Sequence, residues 1–518
     1  MSLRLALIAV VLLASTLHSA EPKKKAWPPR ILLNSDCGTP VFYRFDAPMN
    51  AKQLNNVIND LPGTQIDAFM PCPQFSDDQM WYPTKVCEPY DGRHVPDGKY
   101  EDKYFRRVAN NVKSLIDRKL DPMVVWAKRS RELGMWYIPT MRMNDLHKDY
   151  IDLWPSLRSF WERKRKHLLI GKDLPPYYRH KKYKYSWAMD YAKDEVHERK
   201  LSIIGEICTR YDVDGFELDF MRAPIYFKKG QEATGSKRMN DFIRKVRQLM
   251  DKIGKKKGKR LRLLVRVSPQ LSECKVLGLD VATWIRSGWV DLCTAMASGY
   301  LDHSADIASF VKLAKGTKCK IAGGLEYYVR GYRKPKQQGI TWATLPMLRA
   351  GASAFYQQGA DCIYLFNYDC HGRFPFRGDK RQALKEIGDR KMLVNTDKRY
   401  IVTVDMSRKT RDLGGDKQLP ALLGKASLER IKMVVGDDLD AALKGNRLQS
   451  TTLRIEATKD NLSLVVNGKP TKLTKEGRFL VAKNPPVKQG NNQLRLTLAK
   501  RNEDVVRING IELLIDYK

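Results

Sequence analysis

Short apolar runs recur along the first 370 residues of the chain and alternate with longer amphipathic stretches. Runs rich in β-branched and aromatic side chains predict strands, and the periodic segments between them predict helices. The predicted strands cover residues 31–36, 65–71, 135–143, 213–220, 261–267, 290–296, 320–325 and 362–368. The predicted helices cover residues 52–59, 104–133, 192–211, 236–253, 281–287, 305–315 and 341–359.

This alternation predicts eight strand–helix units within residues 30–390. Because strand–helix–strand crossovers are right-handed, the strands are expected to form one parallel sheet. Eight such units indicate a (β/α)8 TIM barrel with long insertions after strands two and three. A doubly wound open sheet is the alternative.

The pattern changes after residue 393, where short strands with alternating polarity replace the strand–helix units. Such strands are predicted at 400–406, 450–457, 462–467, 478–481, 493–498 and 505–517, with turn residues between them. Residues 395–518 are therefore expected to form an all-β sandwich that either binds carbohydrate or packs against the barrel. The predicted fold class is α/β: a TIM barrel followed by a C-terminal all-β sandwich domain.

Residues 1–20 have the pattern of a secretory signal peptide. Arg4 precedes an apolar run, and Ser19 and Ala20 are small residues suited to cleavage. No later apolar run reaches the ~18 residues that a membrane span needs. We therefore expect export to the periplasm or the extracellular space, with cleavage near residue 20 and no transmembrane segment.

Nine cysteines in an exported chain allow disulfide bonds but leave at least one thiol unpaired. The best pair is Cys72 with Cys87, which share a polar loop. Cys37 with Cys370 is a second possibility if the first and last barrel strands are neighbours.

The chain carries 93 Lys and Arg against 58 Asp and Glu, a formal net charge of +35. A solvated basic surface is one explanation. For an exported protein, an acidic or sulfated polysaccharide is the expected anionic partner. Nucleic-acid binding is not expected, because charge is its only support and no known motif is present.

The segment from Tyr211 to Arg222 is the most informative in the chain. On a strand, Glu217 and Asp219 point to one face, while apolar side chains point to the other. Two carboxylates on a central strand are costly unless they are paired. At the C-terminal mouth of a barrel, however, paired carboxylates can hydrolyse sugar bonds.

Other polar and aromatic side chains collect at the predicted strand ends and in the long insertions. We expect the aromatic ones to stack on sugar rings and the polar ones to bind hydroxyl or acidic groups. These expected substrate-binding residues are Asn34, Asp36, Arg142, Asn144, Asp145, His147, Arg222, Arg266, Asn367, Trp81 and Trp154. No cysteine or histidine spacing indicates a metal site, and no cofactor is expected.

The runs Asp214–Gly–Phe–Glu–Leu–Asp–Phe–Met–Arg222 and Met141–Arg–Met–Asn–Asp145 resemble exported family 10-like glycosyl hydrolases. The resemblance covers about residues 30–390 and implies a TIM barrel that hydrolyses glycosidic bonds.

Three further patterns bear on the roles of the carboxylates. Strand four is similar to that of family 18 chitinases, but Met221 stands where their catalytic glutamate would be. It is also similar to that of α-amylase-like enzymes, with Asp219 at the nucleophile position and Glu217 replacing their arginine. Glu326 matches the nucleophile that some retaining barrel hydrolases place after strand seven.

The leading hypothesis is a secreted glycoside hydrolase whose working pair is Asp219 and Glu326. Glu217, one layer deeper, is expected to tune Asp219 by like-charge repulsion or to hold Arg142 or Arg266. On this hypothesis, Asp219→Asn abolishes hydrolysis and leaves folding nearly intact.

Three alternatives stay open. Glu217 and Asp219 could instead form a structural ion-pair network with Arg142, Arg222 and Arg266. The chain could be a non-catalytic carbohydrate-binding protein on a degenerate barrel. A metal-assisted enzyme would use Asp145, His147 and Asp219.

Overall fold

The structure is a computed structural model, and it describes residues 23–93, 103–145, 157, 159–175, 185–330, 340–370, 372–403, 413, 418–425, 427–500 and 505–518. The predicted signal peptide, His147 and Trp154 lie outside the described residues. Within the described part of the chain, no helix combines the length and apolar character needed to cross a bilayer.

Residues 31–366 contribute fourteen strands among the described residues. They are β1 (Ile31–Ser35), β2 (Ile66–Pro71), β3 (Gln74–Ser76), β4 (Gln79–Met80), β5 (Glu88–Pro89), β6 (Trp136–Tyr137), β7 (Thr140–Arg142), β8 (Gly215–Asp219), β9 (Arg262–Val267), β10 (Leu292–Ala295), β11 (Lys320–Leu325), β12 (Tyr328–Arg330), β13 (Ile340–Trp342) and β14 (Cys362–Phe366). Nine of them form one sheet with the order β6-β2-β1-β14-β11-β10-β9-β8-β7. Every pairing in this sheet is parallel.

The first and last strands of this order, β6 and β7, are separated in the chain only by Ile138 and Pro139. Pro139 has no N–H to donate, which interrupts the ladder there. Ile138 N still donates to Phe69 O at 3.1 Å on one side, and Pro139 O accepts from Glu217 N at 2.9 Å on the other. The sheet thus curls until both ends reach one segment. This is consistent with a TIM-like barrel, and full closure stays a prediction.

Helices connect the parallel strands. They are α1 (Ala51–Leu54), α2 (Asn56–Asn59), α3 (Lys103–Asp117), α4 (Pro122–Glu132), α5 (Phe160–Arg163), α6 (Asp194–Arg210), α7 (Glu232–Lys256), α8 (Leu271–Val276), α9 (Val281–Arg286), α10 (Ile307–Ala314), α11 (Leu345–Gln357) and α12 (Asp379–Glu386). The single helix predicted over 104–133 is divided into α3 and α4. The break is explained by Asp121, whose side chain accepts the N–H of Met123 as an N-cap, followed by Pro122 at the first helical position.

The C-terminal region contains β15 (Lys398–Thr403), β16 (Ala421–Leu423), β17 (Glu429–Val435), α13 (Leu439–Lys444), β18 (Leu448–Ala457), β19 (Ser463–Val466), β20 (Lys469–Thr471), β21 (Thr474–Glu476), β22 (Phe479–Lys483), β23 (Gly490–Thr497) and β24 (Val506–Tyr517). They form two antiparallel sheets, of six and four strands. One apolar cluster includes buried residues from both sheets, such as Leu453 and Leu494. A shared core is what the predicted sandwich requires. The strands β16, β17, β20 and β21 were not anticipated from the sequence.

Helix α11 joins the two regions. Its Ala350 and Ala354 belong to the apolar cluster of the β region. Nearby, the buried Lys398 donates to Asp437 at 2.7 Å, and the Tyr400 hydroxyl donates to the same carboxylate at 2.5 Å. The β region therefore rests against the helical layer of the sheet, and it also contacts the loop after β10, where Ile401 N donates to His303 at 3.2 Å.

The cysteine prediction is wrong. All nine cysteines fall within the described residues, and all are free thiols. Cys72 lies close to Arg142, whereas Cys87 lies close to Asp78 and Arg199. The proposed partners thus occupy different polar surroundings despite sharing a loop. Cys37 and Cys370 are near each other beside Asp36, also without a bond.

Candidate active site

Strand β8 places the two central carboxylates in register with its neighbours. Glu217 is aligned with Thr140 on one side, and Asp219 is aligned with Arg142 on that side and Arg266 on the other. The strand can approach β9 this closely because residue 215 is glycine. A Cβ at Gly215 would lie 2.3 Å from the carbonyl oxygen of Arg262, a distance no other residue tolerates.

Glu217 is completely buried and is held by neutral donors. Its Oε1 accepts from the Thr140 hydroxyl at 2.7 Å, the Tyr364 hydroxyl at 2.8 Å and the Asn34 amide at 3.3 Å. Its Oε2 has no hydrogen-bond partner among the described residues. Burial, followed by the negative charge of Asp219, raises the pKa of Glu217 to about 7. This carboxyl group therefore takes up or gives up a proton near neutral pH.

Asp219 is equally buried but has a cationic partner. The Arg266 guanidinium donates to both of its oxygens, from Nε at 2.8 Å and from Nη2 at 2.9 Å. The backbone N–H of Met221 adds a third bond at 2.8 Å. Arg266 in turn lies over the ring of Phe366, 4.0 Å from its centroid. Two neighbouring carboxyl groups thus have opposite surroundings, one neutral and one cationic.

This geometry changes the expectation for Asp219→Asn. Removing the charge would leave the buried Arg266 without a counter-ion, which typically costs about 3–5 kcal/mol. The prediction that the variant folds almost normally is therefore revised, because Asp219 stabilises the sheet as well as lining the site. Glu217, for its part, makes no hydrogen bond to Arg142 or Arg266.

A second group of polar side chains lies where β1, β7 and β14 end. Arg142 donates to Asp145 at 2.9 Å and lies 3.8 Å from Asp36. The Asn367 side chain accepts from Asp36 N at 3.0 Å and donates to Asp36 Oδ2 at 3.3 Å. The side chain of Asp36 is 26% exposed, which makes it the most accessible acid of this group.

Asp369 belongs to the same group and was not among the expected site residues. Its Oδ2 accepts from the Ser35 hydroxyl at 2.6 Å. Burial, with a smaller contribution from the charge of Asp36, raises its pKa to about 7. The sequence signal for it was its position, three residues after the end of β14. Tyr364 was also missed, because a tyrosine inside an apolar run gives no sign that its hydroxyl faces Glu217.

Glu326 follows directly after β11 and is buried, with Oε1 accepting from the Tyr327 N–H at 3.0 Å. Strands β9 and β10 separate β11 from β8 in the sheet order. Glu326 and Asp219 therefore come from well-separated strand ends. The half-buried Arg222 lies in the loop after β8.

Asn144 has a structural role, because its side-chain amide is hydrogen-bonded to two loops. Its Oδ1 accepts from Met189 N at 2.9 Å, and its Nδ2 donates to Ile225 O at 2.5 Å. It thus ties two loops together with its polar atoms engaged. The expectation that it binds substrate directly is not supported by this arrangement.

The expectation that Trp81 is a sugar-stacking platform is wrong. Its side chain is 1% exposed and packs between Phe42 and Phe75, with ring centroids 4.6 Å from each. The insertion after β2 folds back as a small sheet and buries its own aromatic residues. Among the described residues, no group of three or more His, Cys, Asp or Glu side chains is arranged to hold a metal ion.

Comparisons with known proteins identify no family for the chain. No protein-family model matches it, and no curated protein matches it. The family 10-like resemblance of the two sequence runs therefore stays a prediction.

Similar solved structures include α-L-fucosidase isoenzyme 2 from Paenibacillus thiaminolyticus, with 10% identity over 70% of this chain and 48% of that chain, at a TM-score of 0.43. The PgaB (BpsB) glycoside hydrolase domain from Bordetella bronchiseptica is 12% identical over 70% of this chain and 99% of its own, at a TM-score of 0.42. This chain spans about half the length of the fucosidase. With TM-scores below 0.5, we base no functional conclusion on these likenesses.

Proposed function

We propose that this chain is a glycoside hydrolase that cleaves a poly- or oligosaccharide by carboxylate chemistry at the carboxyl ends of its parallel strands. The observation that carries the proposal is the contrast between Glu217 and Asp219. Glu217 has a pKa of about 7 among neutral donors, while Asp219 is bound by Arg266 through both oxygens. Neighbouring acids whose surroundings push their protonation apart are typical of acid–base sites.

The proposed working pair is Asp219 and Glu326. A glycosidic bond needs one group that protonates the leaving oxygen and another that attacks the anomeric carbon or activates water. Asp219 and Glu326 come from strands separated by two others, so they can approach a bond from two sides. Glu217 lies on the same strand as Asp219, one layer deeper. Its protonation state sets how much negative charge lies beneath Asp219.

A non-catalytic carbohydrate-binding protein is the second candidate, and two observations keep it open. Both oxygens of Asp219 are already engaged by Arg266, and Met221 occupies the position of the catalytic glutamate in the chitinase pattern. On this alternative the carboxylates bind sugar hydroxyl groups without reacting.

The test is release of reducing ends from a panel of neutral and acidic polysaccharides, with the folded fraction measured by circular dichroism. We expect one class of substrate to be cleaved and Glu326→Gln to reduce the rate ~10²–10⁴-fold, because acid–base help is worth that much. Glu476→Gln, on exposed strand β21, is the matched control. Binding without any cleavage by the wild type would instead establish the binding protein.

We also propose that the chain is exported, on the evidence of residues 1–20 alone. Sequencing the N-terminus of the protein recovered from the periplasm or medium tests this. A mature N-terminus near residue 21 is the expected result.

A further inference from the structure

A pocket lined by aromatic and cationic side chains opens beside the candidate active site. It has a volume of about 300 Å³, and its lining includes Trp342, Leu345, Tyr368, Arg373 and Lys380. Trp342 lies on β13, which follows β11 along the chain. Tyr368 and Arg373 follow β14. Its lining therefore comes from the segments that follow β11 and β14, as Glu326 and Asp369 do. We call it the Arg373 pocket.

Arg373 is a buried cation with no ion-pair partner among the described residues. The residue is 5% exposed, and its guanidinium lies over three rings: Tyr368 at 4.5 Å, Tyr327 at 5.4 Å and Trp342 at 5.8 Å from their centroids. Its Nε has no hydrogen-bond partner, and no acidic residue in the described ranges forms an ion pair with it. Aromatic faces attract a cation but supply only part of what water or a carboxylate would give.

The rest of the pocket adds positive charge and little negative charge. Lys380 donates to the Gly372 carbonyl at 3.2 Å and has no carboxylate partner in the described structure. The one acid in the lining is Asp379, which is exposed and is paired with neither cation in the structure described. An anion entering the pocket would thus meet two unneutralised cations.

Trp342 gives the pocket a flat apolar wall. Its side chain is 46% exposed, although it is backed by Tyr327 at 5.4 Å with an interplanar angle of 13°, and by Tyr328 at 5.2 Å with an angle of 24°. Such backing fixes the ring, so little conformational entropy is lost when a ligand covers its free face. A pyranose ring has an apolar face of C–H groups that matches a flat aromatic surface.

We propose that the Arg373 pocket binds the anionic group, a carboxylate or a sulfate ester, of an acidic sugar residue whose ring lies on Trp342. The guanidinium fork binds either group through two parallel hydrogen bonds, and the ligand supplies a counter-ion that none of the described residues provides. The net charge of +35 draws polyanionic glycans toward the protein. This inference rests on the proposed function only in naming the substrate class: the chain acts on an acidic glycan.

The experiment is calorimetric binding of three oligosaccharides of equal length: an oligogalacturonate, a sulfated galactan oligomer and a neutral galactan oligomer. The variants are Arg373→Gln, Arg373→Lys and Trp342→Ala, with Lys472→Gln, an exposed lysine of the β region, as the charge-matched control. We expect Arg373→Gln to weaken binding of the acidic ligand about 10-fold or more, since it removes a desolvated charge pair, and to leave the neutral ligand unchanged.

The other variants separate charge from shape. Arg373→Lys should retain part of the preference, Trp342→Ala should weaken all ligands, and Lys472→Gln should change none. If Arg373→Gln fails to fold in a thermal melt, Arg373→Lys and Trp342→Ala still decide the matter. The carboxylated and sulfated ligands distinguish the two sources of the anion, and preference for either supports the pocket.

Equal affinity of the wild type for acidic and neutral ligands would overturn the inference. So would an acidic preference that Arg373→Gln and Arg373→Lys both retain. Cleavage of acidic glycans by Arg373→Gln with the rate and KM of the wild type would overturn it while leaving the hydrolase intact. Tight, Arg373-dependent binding without cleavage would support the pocket and contradict the hydrolase.

Discussion

Both ends of the parallel sheet carry buried or half-buried acidic residues, but the two ends hold them differently. At the amino ends, four aspartates lie on or directly before β2, β8, β10 and β14. Each accepts the backbone N–H of a residue on or beside a neighbouring part of the sheet: β1, β6, β9 and β11, respectively. The pairs are Asp67 with Arg30 N, Asp214 with Tyr137 N, Asp291 with Leu263 N and Asp361 with Ile321 N, at 2.9–3.1 Å. Each of these aspartates also has at least one Lys or Arg partner.

At the carboxyl ends, the acidic side chains accept hydrogen bonds either from neutral donors or from an arginine. Glu217 has three neutral donors, Asp369 has the Ser35 hydroxyl, and both have pKa values of about 7. At the amino ends, four ion-paired aspartates thus fix the register between neighbouring strands. At the carboxyl ends, Glu217 and Asp369 bind or release protons near neutral pH. In barrel enzymes the first pattern belongs to stability and the second to chemistry.

The largest expected effect separates two acids at the carboxyl ends. Glu326→Gln should lose activity ~10²–10⁴-fold, and glutamine keeps the acceptor for the Tyr327 N–H. Asp219→Asn should lose as much activity and also about 3–5 kcal/mol of stability, because Arg266 is left unpaired. Reducing-end assays and urea denaturation of both variants measure this. An Asp219→Asn protein as stable as wild type would contradict the importance of the buried pair.

The next effect tests the amino ends. Asp291 receives Arg247 at 3.2 Å and Arg260 and Arg262 at 3.0 Å each, besides the Leu263 N–H. Asp291→Asn should therefore reduce the free energy of unfolding by about 3 kcal/mol, because three arginines lose a buried carboxylate and the buried Arg247 keeps only the half-exposed Asp251. Activity per folded molecule should not change. A large loss of specific activity would break the proposed division between the two ends.

Much of this sheet could be predicted from the sequence. All eight apolar runs are strands, with ends that shift by at most two residues, because continuous apolar runs between amphipathic helices have few other solutions. The third run divides at Pro139, where the missing N–H breaks the ladder. Period-2 alternation also placed Glu217 and Asp219 on one face correctly.

The partners of the site residues could not be predicted in the same way. Arg266 was anticipated as one possible partner of Asp219, but nothing in the sequence distinguished it from Arg142. Tyr364 meets Glu217 from a strand 147 residues away, a contact that depends on register around the whole sheet. Trp81 looked exposed because its segment is polar, yet the insertion folds into a small sheet that buries it. Long-range register and loop packing leave little local signal.

A pH-dependent prediction sharpens the contrast further. Glu217 has a pKa of about 7 when folded and an ordinary value of 4.5. Between these values the native state binds a proton that the unfolded state does not, so stability falls as the pH rises through this window. Glu217→Gln should remove that decline, and its stability relative to wild type should rise by about 3 kcal/mol from pH 4.5 to 7.

Urea denaturation at four pH values across this range measures the difference. Glu476→Gln is the control, because it removes an exposed carboxyl group on β21. If the stability difference between Glu217→Gln and wild type is flat, or changes in the opposite direction, the Glu217 carboxyl group is ionised throughout.

The smallest effect compares two members of the aspartate layer. Asp361 accepts the Ile321 N–H at 2.9 Å, as Asp291 does for Leu263, but its cationic partner is Lys320 alone, at 3.1 Å, and its side chain is 30% exposed. Asn can still accept the N–H, and a half-exposed ion pair contributes little. Asp361→Asn should therefore cost about 1 kcal/mol or less, well below Asp291→Asn. The two variants measured side by side in urea give the contribution of the arginine cluster as their difference. Equal losses would mean that the shared backbone bond, and not the ion pairs, stabilises the amino ends of the sheet.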